Sequence, residues 1–302
     1  MSRRELDAAG ITDPVLRASY QQCRRLNAVH GRTYYLATRL LPPAKRPYVH
    51  ALYGFARYAD EIVDEADSAR TVKEKEAALD ALLDTLTGAR PPADGVLPAL
   101  LDTTAGWGIP RAHFAAFLAS MRMDLTVTEY ETYDDLMTYM HGSAAVIGLQ
   151  MVPILGPRSP AAYSYAADLG IAFQLANFLR DIGEDLRRGR LYLPLADLRI
   201  FDLTRAELVG GVVDGRVRRL LAFEIARTRE LLRSAGPGVR LLHPTSRDCI
   251  RAASNLYGGI LDAIEAADYQ VLDRRVAVGP VRRLTVTAPA LARAAQARRG
   301  TR

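Results

Sequence analysis

The fold is decided by residues 169–194, which read LGIAFQLANFLRDIGEDLRRGRLYLP. At about 100° of rotation per residue, a helix gathers four polar side chains within about 80° of arc: Gln174, Asn177, Asp181 and Asp185. The other side of the helix is apolar, with Leu175, Leu179, Ile182 and Leu186. A helix this apolar is expected to be buried, and buried polar groups need partners. The segment therefore predicts a central helix whose polar stripe lines an internal cavity.

A second acidic stretch lies upstream at residues 51–67, ALYGFARYADEIVDEAD. Its acids fall within six residues: Asp60, Glu61, Asp64 and Glu65. One helical face of roughly 60° collects Tyr53, Arg57, Asp60 and Asp64. Like charges one turn apart destabilise a helix by about 0.2–0.5 kcal/mol per pair, so either water or a cation must offset them. A single stripe of this kind is typical of a hydrated surface, but two stripes in one apolar chain favour a cation site.

The two stripes indicate a particular chemistry. Two carboxylates one turn apart, with an amide one turn earlier, present oxygen atoms to a hard divalent cation such as Mg²⁺, which is commonly shared with substrate phosphates. Nearby cationic side chains would add to the neutralisation of a diphosphate: Arg57, Arg180, Arg187 and Arg188. The carbocation left after ionisation needs a dry, apolar pocket with aromatic rings. The sequence therefore predicts metal-dependent ionisation of a diphosphate ester.

Helical periodicity continues along the 302-residue chain, and patterns typical of strands are scarce. The spacing predicts helices near residues 14–28, 32–40, 44–65, 70–87, 95–105, 111–126, 132–155, 160–187, 204–209, 214–234, 245–268 and 286–298. Breakers such as Pro42-Pro43 and Gly156-Pro157 separate them. The prediction is an all-α protein with a single domain over residues 1–302, ending in a basic tail at residues 279–302.

The basic charge is concentrated in that tail. The formal net charge is +6, and residues 279–302 hold six arginines and no acid. Such a tail suits an anionic membrane surface about as well as a polynucleotide, and a solvated, partly frayed terminus is a third interpretation. The net charge therefore says little about the helical body.

The cellular location is expected to be the cytoplasm. Cys23 and Cys249 lie far apart and form no metal-binding or disulfide spacing. The amino terminus, MSRRELDAAG, has no apolar signal core, and no stretch reaches the roughly 18–20 apolar residues of a spanning helix. Peripheral contact at the inner face of a membrane is the expectation for the tail.

Several segments resemble the squalene and phytoene synthases. The strongest resemblance lies in FQLANFLRDIGEDLRRGRLYLP, residues 173–194, and in RYADEIVDE, residues 57–65. It extends to HGRTYYLATRLLP (30–42), MDL (123–125), YMHGSAAVIG (139–148) and YGGILDAIEAADYQVLDRRV (257–276). These motifs are long and stand in the family's order, and their wording is closest to the actinobacterial-type phytoene synthases.

The resemblance implies an all-α isoprenoid-synthase bundle with a central apolar cavity. By position, four carboxylates would hold Mg²⁺, with Mn²⁺ as an alternative: Asp60, Asp64, Asp181 and Asp185. Gln174 and Asn177 would support the second metal cluster, with Asn177 as a ligand. Five residues would meet diphosphate: Arg32, Thr33, Tyr53, Arg57 and Arg180. Tyr139, as a catalytic residue, and Tyr269 would line the place where diphosphate leaves.

Some positions depart from the family pattern. Tyr34 stands in the substrate cavity where relatives usually have Phe, and Ser143 stands where an apolar cavity residue is expected. Leu231 and Leu232 replace residues that are commonly tyrosine. None of these changes touches the expected metal ligands. Ionisation is therefore expected to be retained, while the acceptor and the product stay open.

The leading hypothesis is the head-to-head condensation of two geranylgeranyl diphosphates, through prephytoene diphosphate, to phytoene. The alternatives are prenyl transfer to an aromatic acceptor, a squalene- or dehydrosqualene-type reaction of farnesyl diphosphate, and a catalytically silent helical scaffold. No Gly-x-Gly-x-x-Gly follows a strand, which favours proton loss over reduction. No nucleic-acid partner is expected, and the sequence does not indicate an oligomeric state.

Overall fold

The computed structural model describes residues 2–64, 70–90, 95–277 and 279–299. Within these ranges the regular structure is helical, and the β-type pairing is one isolated bridge between Pro157 and Leu242. The helices are α1 (Ser2–Ala8), α2 (Pro14–His30), α3 (Arg32–Thr38), α4 (Arg46–Asp64), α5 (Val72–Thr87), α6 (Leu97–Trp107), α7 (Arg111–Met123), α8 (Tyr133–Met140), α9 (Val146–Leu155), α10 (Ala162–Arg187), α11 (Leu195–Ile200), α12 (Arg205–Val209), α13 (Gly215–Ala235), α14 (Pro244–Ala266) and α15 (Pro280–Arg299). Short 3₁₀ turns lie at Pro43–Lys45 and Gly236–Leu241, and a π-helical turn lies at His141–Ala145. The predicted all-α class is confirmed.

Local sequence explains where several helices begin. Thr71 and Thr132 each start a capping box. The threonine hydroxyl accepts a hydrogen bond from the backbone N–H three residues later, and the acidic side chain of that later residue accepts one from the threonine N–H. Asp13 caps α2, and Pro14 suits the first helical position because its missing N–H would be unpaired there. The helices missed by the sequence patterns are the short ones, α1 and α11, and α15 begins six residues before the predicted start at residue 286.

The helices bury three apolar clusters around a cavity. The first cluster centres on α4, α6, α7 and α9, and includes Phe55 and Phe114, whose rings meet edge to face. The second joins α10, α13 and α14. The third, smaller cluster is rich in aromatic residues and includes Tyr139 and Tyr192. Helix α10 touches α9, α13 and α14, so it is the central helix that its sequence predicts.

Close backbone contacts hold α10 against the α8–α9 segment. A Cβ placed on Gly148 would lie 2.0 Å from the carbonyl oxygen of Ala166, and one on Gly170 would lie 2.4 Å from that of Ala144. Any side chain at these positions would therefore push the helices apart. The small residues at this contact also line the cavity: Ala144, Gly148, Ala166 and Gly170.

The predicted helix at residues 132–155 is interrupted by the π-helical turn. Its Val146 N–H bonds to the carbonyl of His141, five residues earlier. The hydroxyl of Ser120 donates to the carbonyl of Tyr139 across 2.8 Å, and Gly142 lies so close to Ala116 that a Cβ would be 2.2 Å from its carbonyl oxygen. Contact with α7 thus shapes the turn that carries Ser143.

The described part of the basic tail forms helix α15. Helix α15 packs on α14, burying Ala290 and Ala294. The Nε of Arg293 contacts Asp248 Oδ1 at 3.1 Å, and Arg298 Nη2 donates to the carbonyl of Leu40 at 2.6 Å. Residues 300–302 lie outside the described residues, as does Glu65 of the first acidic stretch.

Candidate active site

The two predicted acidic stripes line one cavity. Asp60 and Asp64 come from the last two turns of α4, and Asp181 and Asp185 come from the last two turns of α10. Both helices bury their apolar faces in the core, which turns the acidic faces toward the space between them. The structure therefore brings together the four carboxylates that the sequence singled out.

One carboxylate of each pair is buried beside a second acid that opposes its ionisation. Burial, followed by the charge of Asp64, raises the pKa of Asp60 to about 7. Burial, followed by the charge of Asp181, likewise raises the pKa of Asp185 to about 7. Two buried acids whose ionisation is opposed by a neighbouring acid form a donor set that suits a divalent cation.

The other carboxylate of each pair is held by arginines. Asp64 Oδ1 is 3.0 Å from Arg190 Nη1, and Asp64 Oδ2 is 3.3 Å from Arg188 Nη1. Arg275 donates to both oxygens of Asp181, at 2.7 and 3.1 Å, and Arg180 Nε reaches Asp181 Oδ1 at 2.8 Å. Four guanidinium groups therefore stand beside the acids, in the position where an anionic group would meet them.

The acids do not form a metal site by themselves. Within the ranges that the structure covers, no three His, Cys, Asp or Glu side chains come close enough to enclose an ion. Two carboxylates from α4 and two from α10 are a set that phosphate oxygens and water would complete, as is usual for Mg²⁺. Their raised pKa values fit this, because a bound cation favours the ionised form.

A buried carboxylate that the sequence reasoning missed organises one wall. Asp124 accepts a hydrogen bond from the Tyr139 hydroxyl at 2.8 Å and another from the Tyr192 hydroxyl at 2.9 Å. Burial raises the pKa of Asp124, and burial together with Asp124 raises the pKa of Tyr139 well above its usual value. Arg190 links this wall to Asp64, since its Nη2 donates to the Asp124 carbonyl at 3.0 Å and its Nη1 donates to Asp64 Oδ1 at 3.0 Å.

The opposite wall is aromatic and carries two amides. The rings of Phe173 and Tyr257 stack with centroids 4.1 Å apart, and the ring centroids of Tyr34 and Tyr53 lie 6.1 Å apart. Gln174 and Asn177 stand one turn apart on α10 and line the same space. Burial raises the pKa of Tyr34, Tyr53 and Tyr257, so these phenols stay neutral near physiological pH. Tyr257 belongs to a motif that carries the family resemblance but was not chosen from the sequence.

An apolar section extends the cavity away from the acids. It runs between α9 and α10 toward the amino-terminal end of α10, past Ile147, Met151, Leu155, Ala162, Tyr165, Ala166, Val239 and Leu242. From Asp185 to Ala162, α10 spans about 35 Å at 1.5 Å per residue. Seven residues border both sections: Tyr34, Ser143, Ile147, Met151, Gln174, Asn177 and Tyr257. The Ser143 hydroxyl is buried there without a hydrogen-bond partner among the described residues.

Most of the predicted site residues line this cavity. Those on its wall are Tyr34, Tyr53, Arg57, Asp60, Asp64, Tyr139, Ser143, Gln174, Asn177, Arg180, Asp181 and Asp185. Arg32 and Thr33 begin α3 outside the lining, directly after Gly31, which lies against the Tyr53 ring. Tyr269 follows α14 with a positive φ of 59° and packs beside the second apolar cluster. The structure gives the positions of all these residues, and the roles assigned to them stay predictions.

Comparisons with known proteins agree with the fold. The model of the squalene/phytoene synthase family matches residues 28–282. A phytoene synthase of Arthrospira platensis is 38% identical over 273 residues, 86% of this chain and 88% of that protein. A 15-cis-phytoene synthase of Synechocystis sp. is 38% identical over 278 residues, 88% of this chain and 82% of that protein. A solved dehydrosqualene synthase in complex with ligand superposes with a TM-score of 0.82 at 26% identity, covering 92% of this chain and 96% of that one.

The architecture is that of the all-α isoprenoid synthases, prenyltransferase enzymes that generally ionise diphosphates with a divalent metal. Because the family match covers most of its length, the chain belongs to the squalene/phytoene synthase family. None of the helices that the structure describes is both long and apolar enough to cross a membrane.

Proposed function

We propose that this enzyme condenses two geranylgeranyl diphosphates head-to-head, through a cyclopropylcarbinyl diphosphate, to phytoene. The observation that carries the proposal is one cavity whose acidic section continues into an apolar section beside α10. A diphosphate suits the first section and a long hydrocarbon chain suits the second. The names of the two curated relatives, phytoene synthase and 15-cis-phytoene synthase, support the same reaction.

The proposed cofactor is Mg²⁺, with Mn²⁺ as the alternative. Asp60 and Asp64 would hold one part of the metal cluster, and Asp181, Asp185 and Asn177 the other. Bound metal would neutralise the charge that develops on the departing diphosphate. Asp60 and Asp185 suit this task because each is buried beside a second carboxylate.

The arginines would bind the diphosphate. Arg188, Arg190 and Arg275 now pair with Asp64 and Asp181. Once cations occupy the carboxylates, these guanidinium groups are free to turn to phosphate oxygens, for which their planar fork is well suited. Arg57 and Arg180 line the same section, so diphosphate would meet positive charge from both α4 and α10.

The rest of the cavity would protect the carbocation. The rings of Tyr53, Phe173 and Tyr257 can stabilise positive charge through their faces. The phenols of Tyr53 and Tyr257 are buried and neutral, so they are poor nucleophiles toward the cation. Tyr139, whose hydroxyl donates to Asp124, is proposed to line the place where diphosphate leaves. It would donate to a phosphate oxygen by exchanging that hydrogen bond for one to the diphosphate.

The test is a product analysis. The protein is incubated with geranylgeranyl diphosphate and Mg²⁺, and the organic extract is examined for a 40-carbon hydrocarbon. Phytoene without added NADPH is the expected result. Diphosphate release without a 40-carbon product would overturn the proposal, and a product formed only when an aromatic acceptor is added would replace it. A panel of 10-, 15- and 20-carbon diphosphates would establish the chain length.

We also propose that the enzyme contacts lipid peripherally. Phytoene is a hydrocarbon with no polar group, so water is a poor place to release it. The basic residues of α15 are compatible with an anionic surface.

A further inference from the structure

A cluster of cations surrounds the amino-terminal end of α14, at the end of the molecule opposite the aspartates. This basic corner consists of Lys45, Arg158, Arg240 and Arg247 around His243. Burial, followed by the charges of Lys45, Arg158 and Arg247, lowers the pKa of His243, so its imidazole is neutral near pH 7. Lys45 Nζ lies 3.3 Å from the Ser246 hydroxyl in the first turn of α14. Two backbone hydrogen bonds join the segments that carry the others, from Arg158 N to Leu241 O and from His243 N to Gly156 O, both 2.7 Å. The corner is therefore held together by the backbone.

The basic corner has no acidic counterpart. In the part of the chain that the structure describes, none of its five side chains forms an ion pair with a carboxylate. Arg247 instead donates to the carbonyls of Leu242 and Arg240, at 3.0 and 2.8 Å. The acid of the first turns of α14, Asp248, is buried and contacts Arg293 and Arg251, which lie outside the corner. Arg158 and Arg240 are exposed to solvent.

The basic tail adds charge at the same end. Helix α15 runs back along α14, so Arg293 meets Asp248 near the start of α14. Five residues later, Arg298 reaches the carbonyls of Leu40 and Leu41, which precede the turn that carries Lys45. Leu291, half exposed on the same helix, provides an apolar contact beside these arginines.

The apolar section of the cavity ends against the basic corner. Its last lining residues include Leu155 and Leu242, which directly precede Gly156 and His243 in the chain. A Cβ placed on Gly156 would lie 3.1 Å from the Cβ of His243 and 3.4 Å from Lys45 Nζ. The buried end of the apolar section and the basic corner are therefore adjacent, because Leu155 and Leu242 are buried and each precedes a residue of the corner segments. Asp185 lies about 35 Å along α10 from Ala162, which lines this end of the apolar section.

We propose that the basic corner docks on an anionic lipid membrane, with the end of the apolar section facing the lipid. Anionic headgroups would meet the unpaired cations, and the hydrocarbon layer would lie nearest the apolar lining. A polynucleotide would pair with the cations equally well, but it offers no apolar layer to face the end of the apolar section. Transfer of substrate and product through this end rests on the proposed function, whereas the docking itself does not.

The test measures sedimentation of the full-length protein with vesicles of phosphatidylcholine alone or mixed with phosphatidylglycerol, without substrate. Binding is expected only to the mixed vesicles. The double charge reversal Arg158→Glu/Arg240→Glu should weaken it at least about tenfold, since each basic residue near such a surface contributes roughly fivefold. The matched control is Lys73→Glu/Arg219→Glu, with the same change of net charge. Both control residues are exposed. They adjoin Lys75, which donates to the Val63 carbonyl near the end of α4, and Arg218, which pairs with Asp268 just after α14. The control charges therefore lie away from the amino-terminal end of α14, where the basic corner is.

Three results would overturn the proposal: equal binding to neutral vesicles, equal weakening by the control pair, or tighter binding to duplex DNA than to the mixed vesicles. Should the double variant fail to fold, the single change Arg240→Gln replaces it, because that exposed side chain has no partner among the described residues. Vesicle binding without phytoene formation would refute the proposed reaction alone. Phytoene formation without vesicle binding would refute the docking alone.

Discussion

The two sections of the cavity are built on the same central helix but by different means. In the acidic section, side chains from α4 and α10 and from the segments after α7 and α14 are fixed by ion pairs and hydrogen bonds, such as Arg190 with Asp64 and Tyr139 with Asp124. In the apolar section, the shape comes from backbone contact at glycine and from small residues such as Ala162 and Ala166. Charged and polar side chains are therefore concentrated in one section and small apolar ones in the other. The ionisation and the size selection that we propose for them can be disturbed separately.

The largest effect is expected in the acidic section. Asp60→Asn and Asp181→Asn each remove a charge that we assign to metal binding, which is worth several kcal/mol in the transition state. Turnover of geranylgeranyl diphosphate should fall by about 10³-fold or more, because each 1.36 kcal/mol is a factor of ten. The control is Glu61→Gln, since Glu61 lies in the same acidic cluster but pairs with Arg57 at 3.0 Å. Steady-state release of diphosphate is the measurement, and activity near the wild-type rate in either variant would contradict the assignment.

A smaller effect is expected at Asp124, which contacts tyrosines of the cavity wall. Asp124→Asn keeps the volume but removes the charge from two hydrogen bonds with Tyr139 and Tyr192. Hydrogen bonds to charged groups contribute about 1.5–3 kcal/mol, so kcat should fall by about 10- to 100-fold. Because Asp124 positions Tyr139, KM should change little. Tyr192→Phe, which removes one of the two bonds, should give an intermediate rate; a raised KM at an unchanged kcat would instead assign Asp124 to substrate binding.

The four aspartates and Asp124 also differ in how far the sequence could predict them. The four aspartates were predictable because acids one turn apart are conspicuous on an apolar helix. Asp124 was not, because its partner Tyr192 is 68 residues away and only the fold brings them together. The same holds for Arg275, which reaches Asp181 across 94 positions. Charge patterning thus identifies residues that act as a local pair, whereas a pair formed by distant segments needs the structure.

The apolar section was visible from the sequence only as a general expectation. Tyr165, Ala166 and Val239 look like ordinary core residues, because periodicity does not separate the wall of a cavity from a filled core. The π-helical turn was missed for a related reason. Residues 132–155 read as one helix, and the turn depends on the contact of Gly142 with Ala116 of α7. The small residues in this stretch serve both purposes, since Gly142 permits helix contact while Ser143 borders the cavity.

Selection by size can be tested without touching the acids. Ala166→Leu adds three carbon atoms to the wall of the apolar section. A 20-carbon chain should lose that space first, so the ratio of turnover with geranylgeranyl to turnover with farnesyl diphosphate should fall about tenfold, as one or two lost methylenes would give. Ala161→Leu is the matched control, because Ala161 is exposed just before α10. Equal losses with both substrates would indicate general damage to the packing of α9 on α10 and would contradict a role in size selection.

The smallest expected effect concerns stability. The same Asp60→Asn change that should lower turnover is expected to raise the melting temperature. Because Asp60 has a pKa of about 7 in the folded protein, against an ordinary value of 3.8, folding favours its protonated form. The stabilisation is complete below about pH 4 and is lost as the pH rises through 7. Without divalent cations, Asp60→Asn should therefore melt about 3 °C or more above the wild type at pH 8, with a smaller difference at pH 5. Adding Mg²⁺ should raise the wild-type melting temperature more than that of the variant. A variant that melts lower than the wild type at pH 8 would mean that Asp60 is stabilised by partners in the fold and not reserved for a cation.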